Sequence, residues 1–123
     1  MTIQGVITQI RTTNLHESID FYTKTLGLEL AFQYEDFYAG IKVGDQEFHL
    51  KLIDDKDPSI DFIRENDHLC LYFPVDNVDE MAVRLKSKGV VLLSEPRDQP
   101  WGNRDFIIED NQGHRLVFAS PLD

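Results

Sequence analysis

The sequence predicts an α+β chain made of two similar β/α halves, and three observations carry that reading. A helix-start signal occurs twice: Asn14 with Glu17 three positions on, and Asn77 with Glu80 three positions on, the spacing of a capping box. A glycine closes each helical stretch at nearly the same distance, Gly27 (27 − 14 = 13) and Gly89 (89 − 77 = 12). Segments rich in Val, Ile, Thr and aromatic residues, bounded by turn residues, flank both stretches and read as strands.

The elements follow in order. Residues 5–12 read as a strand. Leu15, Ile19, Tyr22 and Leu26 fall at helical spacing behind Asn14. Residues 29–34, 37–43 and 47–53 read as three strands, with Gly44-Asp45 turning between the last two. Residues 54–67 carry six acidic side chains and Pro58, which predicts a loop or a short irregular helix. The order then repeats. Residues 68–73 form a strand, and a helix runs from Asn77 through Lys88 with Val78, Met81, Ala82 and Leu85 as its apolar stripe. Strands follow at 90–93, 103–109 and 115–119, the last pair joined by a turn at Asn111-Gln112-Gly113. Two βαβββ units are too long for a solenoid period and read as paired modules.

Composition bounds the function. At 123 residues the chain fits one domain, 1–123, with module one about 1–60 and module two about 61–123. It is 41% hydrophobic and 28% charged, an ordinary globular mix. No apolar run approaches the roughly 20 residues that cross a bilayer. The first twenty residues lack a basic segment followed by an apolar one, so no secretory signal is expected. Cys70 is the sole cysteine and has no intramolecular disulfide partner, which fits a cytoplasmic location. With 22 acidic and 12 basic side chains the net charge is −10. That argues against nucleic acid and anionic membranes as partners, since both need clustered Lys and Arg. It favours a small-molecule ligand, a cationic one in particular.

Asn14-Leu15-His16-Glu17-Ser18-Ile19-Asp20-Phe21-Tyr22, running on to Leu26-Gly27-Leu28, resembles the first-helix signature of the glyoxalase/bleomycin-resistance/dioxygenase (vicinal oxygen chelate) superfamily. Pro74-Val75-Asp76-Asn77-Val78-Asp79-Glu80 resembles the start of its second helix. Pro100-Trp101-Gly102-Asn103-Arg104-Asp105-Phe106, then Asp110-Asn111-Gln112-Gly113-His114, resembles the C-terminal signature of bleomycin-resistance-like members. The resemblance implies two βαβββ modules whose strands curl into one cupped mixed sheet, with helices on the convex side. It also implies a homodimer. Most of the signature residues are core formers and turn glycines, so they identify a scaffold.

Alternation along the strands separates the helix-facing side from the cup. Leu69, Leu71 and Phe73 are apolar and face the helices, which leaves His68, Cys70 and Tyr72 for the cup. Phe48, Leu50 and Leu52 leave Glu47, His49, Lys51 and Ile53. Leu116 and Phe118 leave Arg115, Val117 and Ala119. In the first strand the resemblance puts Ile7, Gln9 and Arg11 in the cup and Val6, Thr8 and Ile10 behind. The candidate ligand-binding residues are therefore Gln9, Arg11, His49, Lys51, His68, Cys70, Tyr72, Trp101 and Arg115. Trp101, beside Gly102 at the start of a strand, either stacks over a ligand or seals the rim of the cup or a dimer contact.

Metal-dependent relatives place four ligands in the cup, and the matching positions here are Ile7, His49, Cys70 and Val117. Two of the four side chains are aliphatic and carry no lone pair. A site of His49, His68 and Cys70 suits zinc by donor type but departs from the family geometry. No nucleophile elbow or glycine-rich phosphate loop is present. The expectation is a metal-free, cofactor-free protein that binds a cationic or aromatic compound, as a sequestering protein would. The alternative is a divergent metal-dependent lyase, isomerase or dioxygenase on His49, His68 and Cys70.

Overall fold

A computed structural model of the protein describes residues 1–65 and 69–122. The chain divides into two units, Met1–Ile60 and Asp61–Asp123, each built on its own four-stranded mixed sheet.

In the first unit β1 (Gln9–Thr12) leads to α1 (Leu15–Asp20), a π-helical turn (Phe21–Thr25), β2 (Glu29–Tyr34), β3 (Tyr38–Val43) and β4 (Gln46–Leu52). The strand order is β1-β4-β3-β2, with β1 parallel to β4 and the other pairs antiparallel. Asn14 stays extended at φ −147° and its side chain accepts the Glu17 N–H at 3.1 Å, which satisfies one donor of the first turn. Behind it, buried Ser18 donates to the buried Thr12 hydroxyl at 2.7 Å and ties the helix to the end of β1. The Leu26 N–H reaches back five residues to Phe21 O, and Gly27 turns the chain at φ +78°. α1 packs on β3 and β4. Tyr22, wholly buried, meets Phe48 edge-on at 5.0 Å among Ile10, Leu15, Ile19, Ile41 and Leu50. Burial of side chains this size stabilises by about 1.5–3 kcal/mol each.

Helix α2 (Pro58–Glu65) follows. The expected loop or irregular helix is thus a regular one. Asp57 accepts the Ser59 N–H at 2.9 Å, and Pro58 takes the first helical position, where a missing N–H costs nothing.

The second unit repeats the order with β5 (Cys70–Pro74), α3 (Val78–Ser87), β6 (Ser94–Asp98), β7 (Asn103–Glu109) and β8 (Arg115–Pro121), as β5-β8-β7-β6 with β5 parallel to β8. Asn77 adopts φ −142° and accepts the Glu80 N–H at 3.0 Å. Gly89, at φ +86°, lets the Val90 N–H return to Leu85 O and close the helix. α3 packs on β6, β7 and β8, over Phe106, Ile108, Leu116 and Phe118, all buried. The turn into β8 is held by buried Asp110, whose carboxylate accepts the N–H groups of Gln112 and His114 at 2.9 Å each. The architecture is α+β, two βαβββ-like modules.

Three expected boundaries need correction. The first strand starts at Gln9 rather than residue 5: pairing begins where Thr8 O accepts the His49 N–H, and Val6, expected behind the sheet, is 92% exposed. The strand expected at 90–93 lies at Ser94–Asp98. Val90 and Val91 attract a strand assignment, but the strand that forms includes Pro96, tolerated because β6 is an edge strand whose register is irregular between Ser94 and Arg97. The strand expected at 68–73 is described from Cys70, and His68 lies outside the described residues.

Candidate functional site

On the first unit the side chains opposite the helix converge on His49. Gln9 pairs with His49 between β1 and β4, and Gly40 pairs with His49 between β3 and β4. His49 Nδ1 lies 2.7 Å from Tyr38 Oη, and His49 Nε2 lies 2.8 Å from Glu47 Oε1. Gln9 Nε2 donates to Tyr38 Oη at 3.1 Å. One proton arrangement satisfies the chain with a neutral imidazole: Tyr38 O–H donates to Nδ1, and Nε2–H donates to Glu47.

Phe32 completes this face through a β-bulge. Glu29 pairs with Lys42 and Leu30 with Ile41, but the next pair is Phe32 with Gly40, leaving Ala31 unpaired. The extra residue moves Phe32 onto the His49 side, where strict alternation from Leu30 would have kept it with the core. The Phe32 ring stacks near Tyr38 at 6.1 Å and meets His49 edge-on at 5.2 Å. Lys51 is exposed and pairs with Arg11 and Tyr38. Arg11 reaches Asp57 at 3.5 Å. The Asp57 carboxyl sits below the usual carboxylate range, chiefly through neighbouring Ser59, whose backbone N–H donates to it at 2.9 Å, with the Arg11 charge adding to it.

On the second unit Cys70 lies directly across from Arg115, and Tyr72 across from Val117. A cleft of about 400 Å³ opens here, lined by Leu69, Cys70, Leu93, Ser94, Ile107, Arg115 and Val117. Arg115 Nη1 donates to Glu109 Oε2 at 2.5 Å and to Gly113 O at 3.3 Å, so its charge is matched beside the cleft. Ser94 Oγ is buried and has no hydrogen-bond partner among the described residues. A hydroxyl in that state costs about 1–3 kcal/mol. Tyr72, half exposed, accepts from Asn103 Nδ2 at 2.9 Å. Trp101 is 66% exposed in the turn before β7 and lies outside the cleft lining. Ala119, expected in the cup, is buried.

The residues at the four positions of the metal-dependent pattern do not fit a metal. Ile7 and Val117 have no donor atoms. Both ring nitrogens of His49 already have partners, so ligation would break one of those bonds. Among the described residues no group of three or more His, Cys, Asp or Glu side chains is placed to hold a metal ion.

The family model of the Glyoxalase/Bleomycin resistance protein/Dioxygenase superfamily matches residues 5–118. The chain belongs to that superfamily. An uncharacterised protein of Mycolicibacterium smegmatis is 30% identical over 114 residues, covering 92% of this chain and 90% of that one. The bleomycin-binding protein of Streptomyces verticillus, solved with copper(II)-bleomycin, superposes with a TM-score of 0.71 at 18% identity, with 96% of each chain covered. Lactoylglutathione lyase of Agrobacterium tumefaciens gives 0.72 at 17%, covering 97% of this chain and 95% of that one. At such identities the likeness is one of fold, and this superfamily fold carries a binding protein and a lyase alike.

Of the sequence-derived candidates, Gln9 and His49 share one hydrogen-bonded cluster, and Cys70 and Arg115 share the cleft. Arg11 and Lys51 are neighbours on β1 and β4, and Tyr72 and Trp101 stand outside both groups of contacts. Phe32, Tyr38, Gly40 and Ser94 were not among the candidates. Tyr38 was legible from alternation in its strand, but Phe32 was not, because its orientation depends on the bulge.

Proposed function

We propose that this superfamily member is a metal-independent protein that binds a small aromatic compound. One observation supports the reading: Ile7 and Val117 bring no donor atom to two of the four ligand positions, while the first unit gathers aromatic rings on one strand face and the second unit opens an apolar cleft. Rings of Phe32, Tyr38 and His49 gathered on one face suit an aromatic ligand. The cleft volume falls in the range of small-molecule sites. Gln9, Arg11, Lys51, Tyr72 and Trp101 are proposed as further contacts, along with His68. The net charge of −10 steers a cation toward the protein, but the charged group lining the cleft is a guanidinium, so the aromatic class is favoured over the cationic one. The proposal extends to a cytoplasmic homodimer, in which edge strands such as β2, exposed along its whole length, are covered by a second copy.

The decisive experiment is elemental analysis after purification without chelator, paired with a fluorescence titration using planar aromatic compounds. Substoichiometric metal and saturable binding are expected. One tightly held zinc, nickel or iron per chain overturns the reading in favour of the metal-dependent alternative. Sedimentation at micromolar concentration tests the dimer, and a single-chain mass rejects it.

A further inference from the structure

We propose that the first unit holds an aromatic ring bearing a carboxylate, with the ring on Tyr34 and Tyr38 and the carboxylate on Lys51. The inference rests on the binding reading above and names the ligand class. It follows from the register of the four strands. Arg11 on β1 stands opposite Lys51 on β4, Lys51 opposite Tyr38 on β3, and Tyr38 opposite Tyr34 on β2. Arg11 and Lys51 alternate with buried Ile10 and Leu50, and Tyr38 with buried Ala39, so this row lies on the face opposite the core. Beyond the bulge, Tyr34 shares the side of Phe32. The row therefore runs from cations to phenol rings in a single line across the sheet. At about 4.8 Å per strand, Lys51 and Tyr34 stand roughly 10 Å apart, the reach of a fused two-ring aromatic acid.

Charge decides the head group. Lys51 is exposed and has no hydrogen-bond or ion-pair partner among the described residues. Arg11 is engaged by Asp57 at 3.5 Å, so Lys51 is the cation that a ligand meets without displacing a carboxylate. The acids of this face are engaged as well, Glu47 with His49 at 2.8 Å and Glu29 with Lys42 at 3.8 Å. An ammonium ligand would meet Arg11 and Lys51 in this row, while a neutral one would leave Lys51 unused. The net charge of −10 repels an anion at a distance, but salt screens that field within about 10 Å, and the contact with Lys51 acts at shorter range. The rings are open to a ligand, Tyr34 being 60% exposed. Tyr34 meets Phe37 edge-on at 5.5 Å, and Tyr38 lies beside Phe32 at 6.1 Å. Covering exposed rings is favourable, whereas an exposed ion pair contributes little alone. The ring thus supplies most of the affinity and the carboxylate the selectivity.

The test uses three probes built on naphthalene: 2-naphthoate, its neutral amide and 2-naphthylmethylammonium. Binding to the full chain is read by NMR from the ring protons of Tyr34 and Tyr38 and the ε-methylene of Lys51. The naphthoate is expected to bind tightest and to shift all of these signals. In Lys51→Gln its affinity falls by about two- to fivefold, the range of an exposed ion pair, while the amide is unchanged. Lys51 is exposed, so the fold is retained, and unaltered tyrosine ring shifts in the unliganded variant check this. Lys42→Gln, which removes the cation paired with Glu29, should leave naphthoate binding as it is. An equal loss in both variants marks a general charge effect and overturns the inference. Amide or ammonium binding as tightly as the naphthoate overturns it, and so does a Lys51→Gln protein that holds the naphthoate as well as the wild type. Naphthoate binding that leaves Tyr34 and Tyr38 unmoved overturns it too, but leaves the broader binding proposal standing. Absence of binding by every aromatic compound, with one metal ion held per chain, defeats both.

Discussion

The ring of Phe32 lies against Gly40, its cross-strand partner, so closely that a Cβ at position 40 would stand 2.7 Å from Phe32 Cδ1. The glycine is required for this approach. Gly40→Ala is expected to push Phe32 outward. The obstacle is a side chain 39% exposed, able to swing away, so the stability loss should sit near the low end of overpacking, about 1 kcal/mol. The sharper effect is loss of the Phe32 edge contact with His49. It is checked by the ring-current shift on the His49 ring protons, which should move toward their random-coil positions. An unchanged shift refutes the assignment.

The two asparagine caps should behave alike. Asn14 and Asn77 share nearly the same backbone conformation and accept equivalent N–H groups. Asn14→Ala and Asn77→Ala are each expected to cost about 0.5–2 kcal/mol, and the glycine replacements only a few tenths. Urea denaturation of the four variants decides it, and equal losses for alanine and glycine would argue against capping as the cause.

Arg104 bridges Asp79 at the start of α3 and Asp98 in β6, at 3.0 Å to each. Its hydrogen bonds hold the Asp79 carboxyl below its ordinary value of 3.8. A depressed carboxyl contributes stability above its unfolded value and loses it as pH falls through the folded one. The contribution is therefore present at neutral pH and fades below about pH 4. Exposure and screening keep it small. Asp79→Asn should flatten the acid limb of a plot of urea midpoint against pH. Salt should flatten the wild-type limb in the same way. An identical acid limb in both proteins would show that the pair contributes nothing.

Trp101 separates two roles. If it stacks on the ligand, Trp101→Ala weakens binding of planar aromatic compounds by roughly 1–3 kcal/mol and leaves the sedimentation mass unchanged. If it seals the rim or a subunit contact, the variant dissociates instead. Its position outside the cleft lining favours little change for probes that reach only the cleft. A loss of binding by such probes in this variant would contradict that.

Much of the fold was legible in sequence because its rules are local. An asparagine three positions before an acidic residue, or a glycine where φ turns positive, acts within one turn of chain, and both helices begin and end where those signals stand. Alternation along β4 and β8 sorted Phe48, Leu50, Leu116 and Phe118 from His49 and Arg115 because one buried face imposes a period of two. The acidic stretch hid α2: its eight residues are too few to show a clear helical period among so many charges, and Asp57 and Pro58 set its start.

By itself, then, the sequence determined the two βαβββ-like modules, their caps and turns, and the aliphatic residues at two of the four metal-ligand positions. Only the tertiary structure decided that Ala31 drops out of register and carries Phe32 to the His49 face. The same holds for the buried Ser94 hydroxyl standing unpaired beside Ile107, and for the partners that occupy both nitrogens of His49. Each of these depends on which residue of a distant strand comes to lie opposite. That pairing is a property of the assembled sheet, and no local period encodes it.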